Sequence, residues 1–366
     1  MANQESRHSA SIGIVAGYLL RLIRESTPLT QTGLAEALEV DLGTVQGWES
    51  GRRPLANMKA GALLTLRRRI LALGASQQLV QLLDAAMDAD RIITAFLHPP
   101  ASLDLHPLAL WVQTRETAHM VAWAARDIPP PAIVGRPERP RRGPVPTGPR
   151  LTATDRAEFF THLRLIAETA QCAGDSAHLL RRQALYLASY DPSRDAQEWA
   201  SHVLGNLRGA LAVRGWSDRW VEARTTATVL ARQGDPQALW DFIDRSLVDD
   251  DTGEAANLNY WAYWLGALPS TQSNDRFMRD RELSQWNPLT LLRLLVEGLH
   301  ETPGSVDLYV HSMWAILTAH PWIPLADRCL AERIEDRSTQ LLDGKVISAR
   351  SRRDLGAVQY LLKRPN

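Results

Sequence analysis

Apolar residues recur three and four positions apart through most of the chain, in runs broken by short clusters of Gly, Pro, Ser and Asp. That period places them on one face of an α-helix, so the pattern predicts an all-α fold built from short and medium helices. The tightest case is Thr30 to Gly51, TQTGLAEALEVDLGTVQGWESG, which predicts two short helices around a turn. Thr30 is placed to cap the first, Leu34 and Leu38 form its inward stripe, and Ala35 is small enough for a second helix to cross closely. Val40 closes the turn and Asp41 can cap the second helix. Val45 and Trp48 then face inward, with Leu42, Thr44, Gln46 and Gly47 on the outward side. Gly51 supplies a stop, and Arg52, Arg53 and Pro54 follow in a turn.

Beyond this segment the pattern predicts a helix starting at Pro54, with Met58, Leu63, Leu64, Leu66, Ile70, Leu71 and Leu73 at helical spacing, and ending at Gly74. Arg67, Arg68 and Arg69 form a basic cluster on it, read as a solvated face rather than a phosphate clamp. Ser76 is placed to cap a helix running to Leu97, and another is expected from about Leu108 to Arg126; the two can form a hairpin that joins protomers or connects the ends of the chain. Residues 129–150, PPPAIVGRPERPRRGPVPTGPR, cannot sustain a helix because proline removes donors and fixes φ. Their five arginines against one glutamate can track phosphates, but a soluble spacer is the plainer reading. From Leu151 a succession of helices follows, with small residues such as Ala184, Ala188, Ala223 and Ala227 among large aromatics. The division expected is therefore 1–75, 76–128, 129–150 and 151–366.

The densest aromatic segment is NLNYWAYWLGALP, where Tyr260 and Trp264 share a face at i and i+4 while Trp261 lies elsewhere on the helix. Asn257, Tyr260, Trp261 and Trp264 are either core or the lining of a pocket for a ligand or partner, and core is the safer reading.

The residues RLIRE before the motif, LTQTGLAEAL, the inward Val45 and WESGRRP together resemble the Xre/Cro type of helix-turn-helix regulator over about Ile12 to Gly74. That resemblance implies a DNA-binding domain acting as a dimer, with an arginine of the opening helix paired to the glutamate before the closing glycine; Arg24 and Glu49 stand at those positions. It also implies DNA contact from Gln31, Leu42, Gly43, Thr44, Gln46 and Gly47. Gln46 is suited to adenine and Thr44 to thymine, and Arg52 and Arg53 are suited to phosphate. Where the family usually has Gly in the turn this chain has Glu39, which implies a left-handed backbone costing about 1 kcal/mol. Leu42, Gly43 and Gly47 on the outward face imply few base-specific side chains and a large share of affinity from phosphate. The region after Leu151 resembles a tetratricopeptide-like α-solenoid without a strict repeat. Regulators that sense peptides pair such parts, which implies control by a peptide, small molecule or protein effector.

Charge narrows this picture. The 366 residues carry 41 basic and 41 acidic side chains, so the whole chain is no general polycation, and any DNA affinity must be local. Met1 to Gly74 holds nine Lys or Arg against six Asp or Glu, a surplus small enough that tight binding calls for two copies of the domain. Cys172 and Cys329 make neither a disulfide framework nor a zinc site. His98 and His106 are read as helix-end hydrogen bonders rather than metal ligands. No phosphate loop, HExxH or GxSxG elbow appears, so no enzyme, cofactor or metal is expected. No signal segment or membrane-length apolar run is seen, which predicts a cytoplasmic protein. The expectation is a dimeric, sequence-specific transcriptional regulator of double-stranded DNA. The alternative is a helical interaction scaffold whose N-terminal unit only localises it to DNA or mediates dimerisation.

Overall fold

A computed structural model describes residues 13–135, 147–169, 174–196, 198–199, 209, 211–280, 285–299, 305–344 and 347–363. Among these, every regular element is helical, as the apolar period requires. Among them, too, no helix is long and apolar enough to cross a membrane. The chain divides between Asp191 and Pro192 into two compact units.

The first unit contains α1 (Ile14–Glu25), α2 (Gln31–Leu38), α3 (Leu42–Glu49), α4 (Ala60–Ala72), α5 (Gln77–Gln81), α6 (Leu83–Leu97), α7 (Pro107–Leu110), α8 (Arg115–Arg126), α9 (Ala153–Thr169) and α10 (Gly174–Ala188). Helix α6 lies at its centre, touching α1, α8 and α9. Its Ile92, Ile93 and Phe96 are buried with Leu19, Leu20 and Ile23 of α1 and Val121 of α8. Phe96 meets Phe159 of α9 edge-on at 5.4 Å, a favoured geometry for aromatic pairs.

Three boundaries differ from those the period predicts. The run after Pro54 begins as a single 3-10 turn, Leu55–Asn57, that buries Leu55, and the α-helix starts only at Ala60. Of the apolar residues expected to seal that helix, Leu66 and Ile70 are buried, while Leu64 is 50% and Leu71 40% exposed. The helix capped at Ser76 breaks at Leu82 into α5 and α6, and the position of Ser76 is right although its side chain makes no capping bond. The helix expected from Leu108 is a single turn, α7, followed by a gap and then α8, which Thr114 caps by accepting the Thr117 N–H at 3.2 Å. That gap survives in the interior because Gln183 of α10 satisfies it. Its amide donates to the carbonyls of Leu108 and Trp111 at 2.8 and 3.0 Å, and its oxygen accepts the Gln113 N–H at 2.6 Å.

The compact units also do not divide at the proline-rich stretch: α9 and α10 belong with the N-terminal helices. Residues 136–146 of that stretch, and Cys172, lie outside the described residues. The part after it is tied back to the first unit, since Tyr18 donates to the Thr147 carbonyl at 2.7 Å and Leu151 N–H to Ala124 O at 3.0 Å.

The second unit contains α11 (Trp220–Arg232), α12 (Gln237–Ser246), α13 (Asp251–Trp264), α14 (Pro288–Gly298), α15 (Val306–Ala319), α16 (Ile323–Ala326), α17 (Arg328–Asp343) and α18 (Ala349–Lys363). Neighbours in sequence pair, as α11 with α12, α14 with α15 and α17 with α18. Helix α15 also touches α12, α13 and α18, so four helices converge on it. Its buried Asp307 explains part of that convergence. The carboxylate accepts Trp240 Nε1–H of α12 at 2.9 Å, and Ser348 N–H and the Ser351 hydroxyl at the start of α18 at 2.9 and 2.5 Å. A buried carboxylate is tolerated when its lone pairs are taken in this way.

Candidate nucleic-acid interface

Helices α2 and α3 are eight residues each and are joined by Glu39, Val40 and Asp41. Thr30 caps α2, its hydroxyl accepting the Gly33 N–H at 3.0 Å. Glu39 adopts φ 58° and ψ 43°, the left-handed geometry that lets Glu39 N–H and Val40 N–H close onto Glu36 O and Ala35 O. Leu34, Ala35, Leu38 and Val45 are buried as their spacing requires, and Trp48 is half-buried. Asp41 occupies the cap position of α3 with extended backbone, but its side chain makes no capping bond; its carbonyl accepts the Thr44 N–H instead.

The two helices are fixed against α1 by polar and steric devices. Arg24 donates Nε to Glu49 Oε1 at 2.5 Å and Nη2 to Oε2 at 3.1 Å, a bidentate pair, and Nη1 to the Leu29 carbonyl at 3.2 Å. Gln31 joins the same knot, its amide donating to Glu49 Oε2 at 2.7 Å. The side chain expected on DNA is thus committed, through its nitrogen, to the scaffold. The steric device is glycine: a Cβ on Gly17 would lie 2.4 Å from the Trp48 carbonyl oxygen, and one on Gly51, at φ 76°, 2.7 Å from the Gly13 carbonyl carbon. Helix α1 therefore crosses the end of α3 at backbone-to-backbone distance.

Asp90 of α6 anchors the start of α1. It is buried, and its two carboxylate oxygens accept the N–H groups of Val15 and Ala16 at 2.9 and 3.0 Å, two donors that a helix N-terminus leaves unpaired. Burial pushes its pKa up to about 8 against the lowering effect of those two bonds. Neither the glycine contacts nor this anchor is apparent from the motif residues. Two glycines four apart in α1 and just before it are a signal for close approach that the apolar period does not weigh.

The outward face of α3 consists of Leu42 (39% exposed), Gly43, Gln46 and the end residue Ser50, with Thr44 half-buried at its edge. Gly47 is not on it. Gly47 is buried beneath Arg53: a Cβ there would lie 2.9 Å from Arg53 Cδ, and Arg53 Nη1 donates to the Thr44 hydroxyl at 2.8 Å. Arg52 is exposed, with Nε donating to Ser50 Oγ at 3.2 Å. Neither arginine has a carboxylate partner among the described residues. Two of the three clustered arginines on α4 are paired, Arg67 with Asp84 at 2.5 Å and Arg69 with Glu39 at 3.1 Å, while Arg68 is exposed.

The aromatic cluster of the second unit is interior. Asn257, Tyr260, Trp261 and Trp264 are all buried. Tyr260 stacks on Trp264 at 5.9 Å, and Trp261 packs on Tyr309 at 4.3 Å. The Arg224 guanidinium lies 3.8 Å over the Tyr260 ring, and Asn257 Nδ2 donates to Ser312 at 2.8 Å. These buried residues pack among α11, α13 and α15.

Among the described residues no group of His, Cys, Asp and Glu is arranged to hold a metal, and His106 accepts the Leu108 N–H through Nδ1 at 3.1 Å, as a helix-end histidine does. No protein-family model, curated protein or solved structure matches this chain.

Proposed function

We propose that the chain is a sequence-specific DNA-binding transcriptional regulator of the Xre/Cro type, acting as a dimer on a two-fold symmetric site. The observation that carries this is the exposed outer face of α3, presented by a buttress of Arg24, Glu49 and Gln31 and followed by two arginines without acidic partners among the described residues. A helix held so rigidly, with its outer face left open, suits insertion into the major groove. Gln46 and Leu42 meet base edges and Arg52 meets phosphate in this reading, and the second unit serves as the regulatory or interaction part. The small local charge surplus requires two copies for tight binding, spaced about 34 Å apart.

Selection of duplexes from a random pool by the full-length protein, followed by a salt titration on the winning duplex, tests it. A recovered inverted repeat with half-site centres one helical turn apart supports the reading. Binding that is weak, indifferent to sequence and lost at moderate salt favours the interaction-scaffold alternative.

A further inference from the structure

We propose that Arg53 reads guanine at this interface, with Thr44 and Gly47 as the residues that position it. The inference rests on the DNA-binding reading above and assigns the chemistry of one base contact within it.

Helix α3 offers no cation of its own on its outward face, where the side chains are those of Leu42, Gln46 and Ser50. Arg53 supplies one from outside the helix. Its backbone N–H donates to the Gly47 carbonyl at 2.9 Å, which turns the chain back on α3. The side chain then runs over Gly47, whose missing Cβ leaves the slot for Arg53 Cγ and Cδ. At the end of that slot Nη1 donates to Thr44 Oγ1 at 2.8 Å. The guanidinium is thereby delivered to the N-terminal half of α3, the half that contacts base edges when such a helix enters the major groove.

A phosphate contact needs only a positive charge within reach, and a freely moving side chain serves. Arg53 is instead a planar fork with its stem in a slot and one nitrogen held. One of its five N–H groups is used by Thr44, and the others remain for a ligand. Guanine presents two acceptors, O6 and N7, to the major groove and pairs with such a fork bidentately; adenine presents a donor beside N7 and opposes it. In this arrangement Thr44 acts through Arg53, its hydroxyl oxygen accepting the Nη1–H that holds the fork in place. Gly47 is required because any larger residue closes the slot.

The test uses the full-length protein and duplexes selected by it from a random pool, with binding then measured on every single-base variant of the selected half-site. The wild type is expected to select a guanine in each half-site. Arg53→Lys keeps the charge and loses the fork, and should erase the preference for that guanine, roughly 5- to 150-fold, while other positions hold. Thr44→Val and Gly47→Ala should relax the same position. Arg52→Ala should instead weaken all sequences alike. Circular dichroism of each variant establishes that the helices are retained, which the exposed position of Arg53 favours. If Arg53→Lys or Arg53→Ala leaves the base preference at every position intact, Arg53 is a phosphate contact or a bystander and the proposal fails while the DNA-binding function stands. If the wild type selects no sequence, both fall.

Discussion

Single side chains here act through partners far away in sequence. Glu49 is almost wholly buried and holds both Arg24 and Gln31. Glu49→Ala leaves the Arg24 guanidinium with only the Leu29 carbonyl and, at 3.9 Å, Glu25, and should cost roughly 2 kcal/mol in chemical denaturation. The double variant Arg24→Met with Glu49→Leu, which leaves no unpaired charge, should recover much of that loss. His311 of α15 is a second case. Burial opposes its charge, yet Nε2 sits 2.6 Å from Glu254 Oε2 and Nδ1 faces Asp354 at 3.9 Å, so the two carboxylates hold its pKa up at about 9. The Asp354 oxygen is too distant for a hydrogen bond and acts through its charge, and it also faces Arg350 at 3.8 Å. A histidine pKa raised in the fold contributes stability that is complete below about pH 6.5 and is lost as pH rises through about 9. The contribution of His311 to the unfolding free energy should therefore fall between pH 6.5 and 9 by an amount on the order of 3 kcal/mol, read by chemical denaturation, and His311→Gln should flatten that slope. A slope unchanged in the variant would place the effect elsewhere. Neither device follows from local pattern alone. The resemblance sets Arg24 opposite Glu49, but the Glu254–His311–Asp354 arrangement joins three helices and has no motif to announce it.

At the scale of an element, what is legible in the sequence is what neighbours along the chain decide. Thr30 caps α2, Leu34 and Leu38 face inward and Glu39 takes the left-handed turn, because each depends on residues within about four positions. The run after Pro54 departs from its period for the complementary reason. Its apolar spacing continues through Leu64 and Leu71, but the helix has a packing partner on only part of its circumference, so Leu66 and Ile70 are buried and the other two are not. Helical geometry alone puts Gly47 on the outer face of α3; the chain returning at Arg53 covers it. The turn offers a test at this scale. Glu39 carries left-handed strain and an exposed ion pair with Arg69, and the strain outweighs the pair because exposed pairs contribute little. Glu39→Gly should stabilise the protein by up to about 1 kcal/mol, read as a raised denaturation midpoint. A lowered midpoint would mean that the Arg69 pair outweighs the strain.

The proline-rich stretch between Pro129 and Arg150 marks an obvious break in composition, yet folding units are defined by which side chains share a core. Helix α9 lies across α6 with Phe159 against Phe96, and α10 supplies Gln183 to the backbone groups left open around α7, so the first unit is incomplete without the helices that follow the prolines. Polar groups opened by that loss would be costly, since each unpaired buried backbone group forfeits roughly 1 to 3 kcal/mol. Two fragments distinguish the sequence boundary from the structural one. A chain ending at Asp191 should show a cooperative thermal transition and keep its helical circular dichroism, while one ending at Ile128 should lose the transition, because Phe96 and the carbonyls of Leu108 and Trp111 would face water or go unpaired. Equal stability of the two fragments would mean that α9 and α10 merely dock on a finished core. The same pair of fragments separates recognition from support: both retain α1 to α4, so a fragment ending at Ile128 that still selects the full-length protein's duplex would show that the α6 anchor at Asp90 survives without the packing behind it.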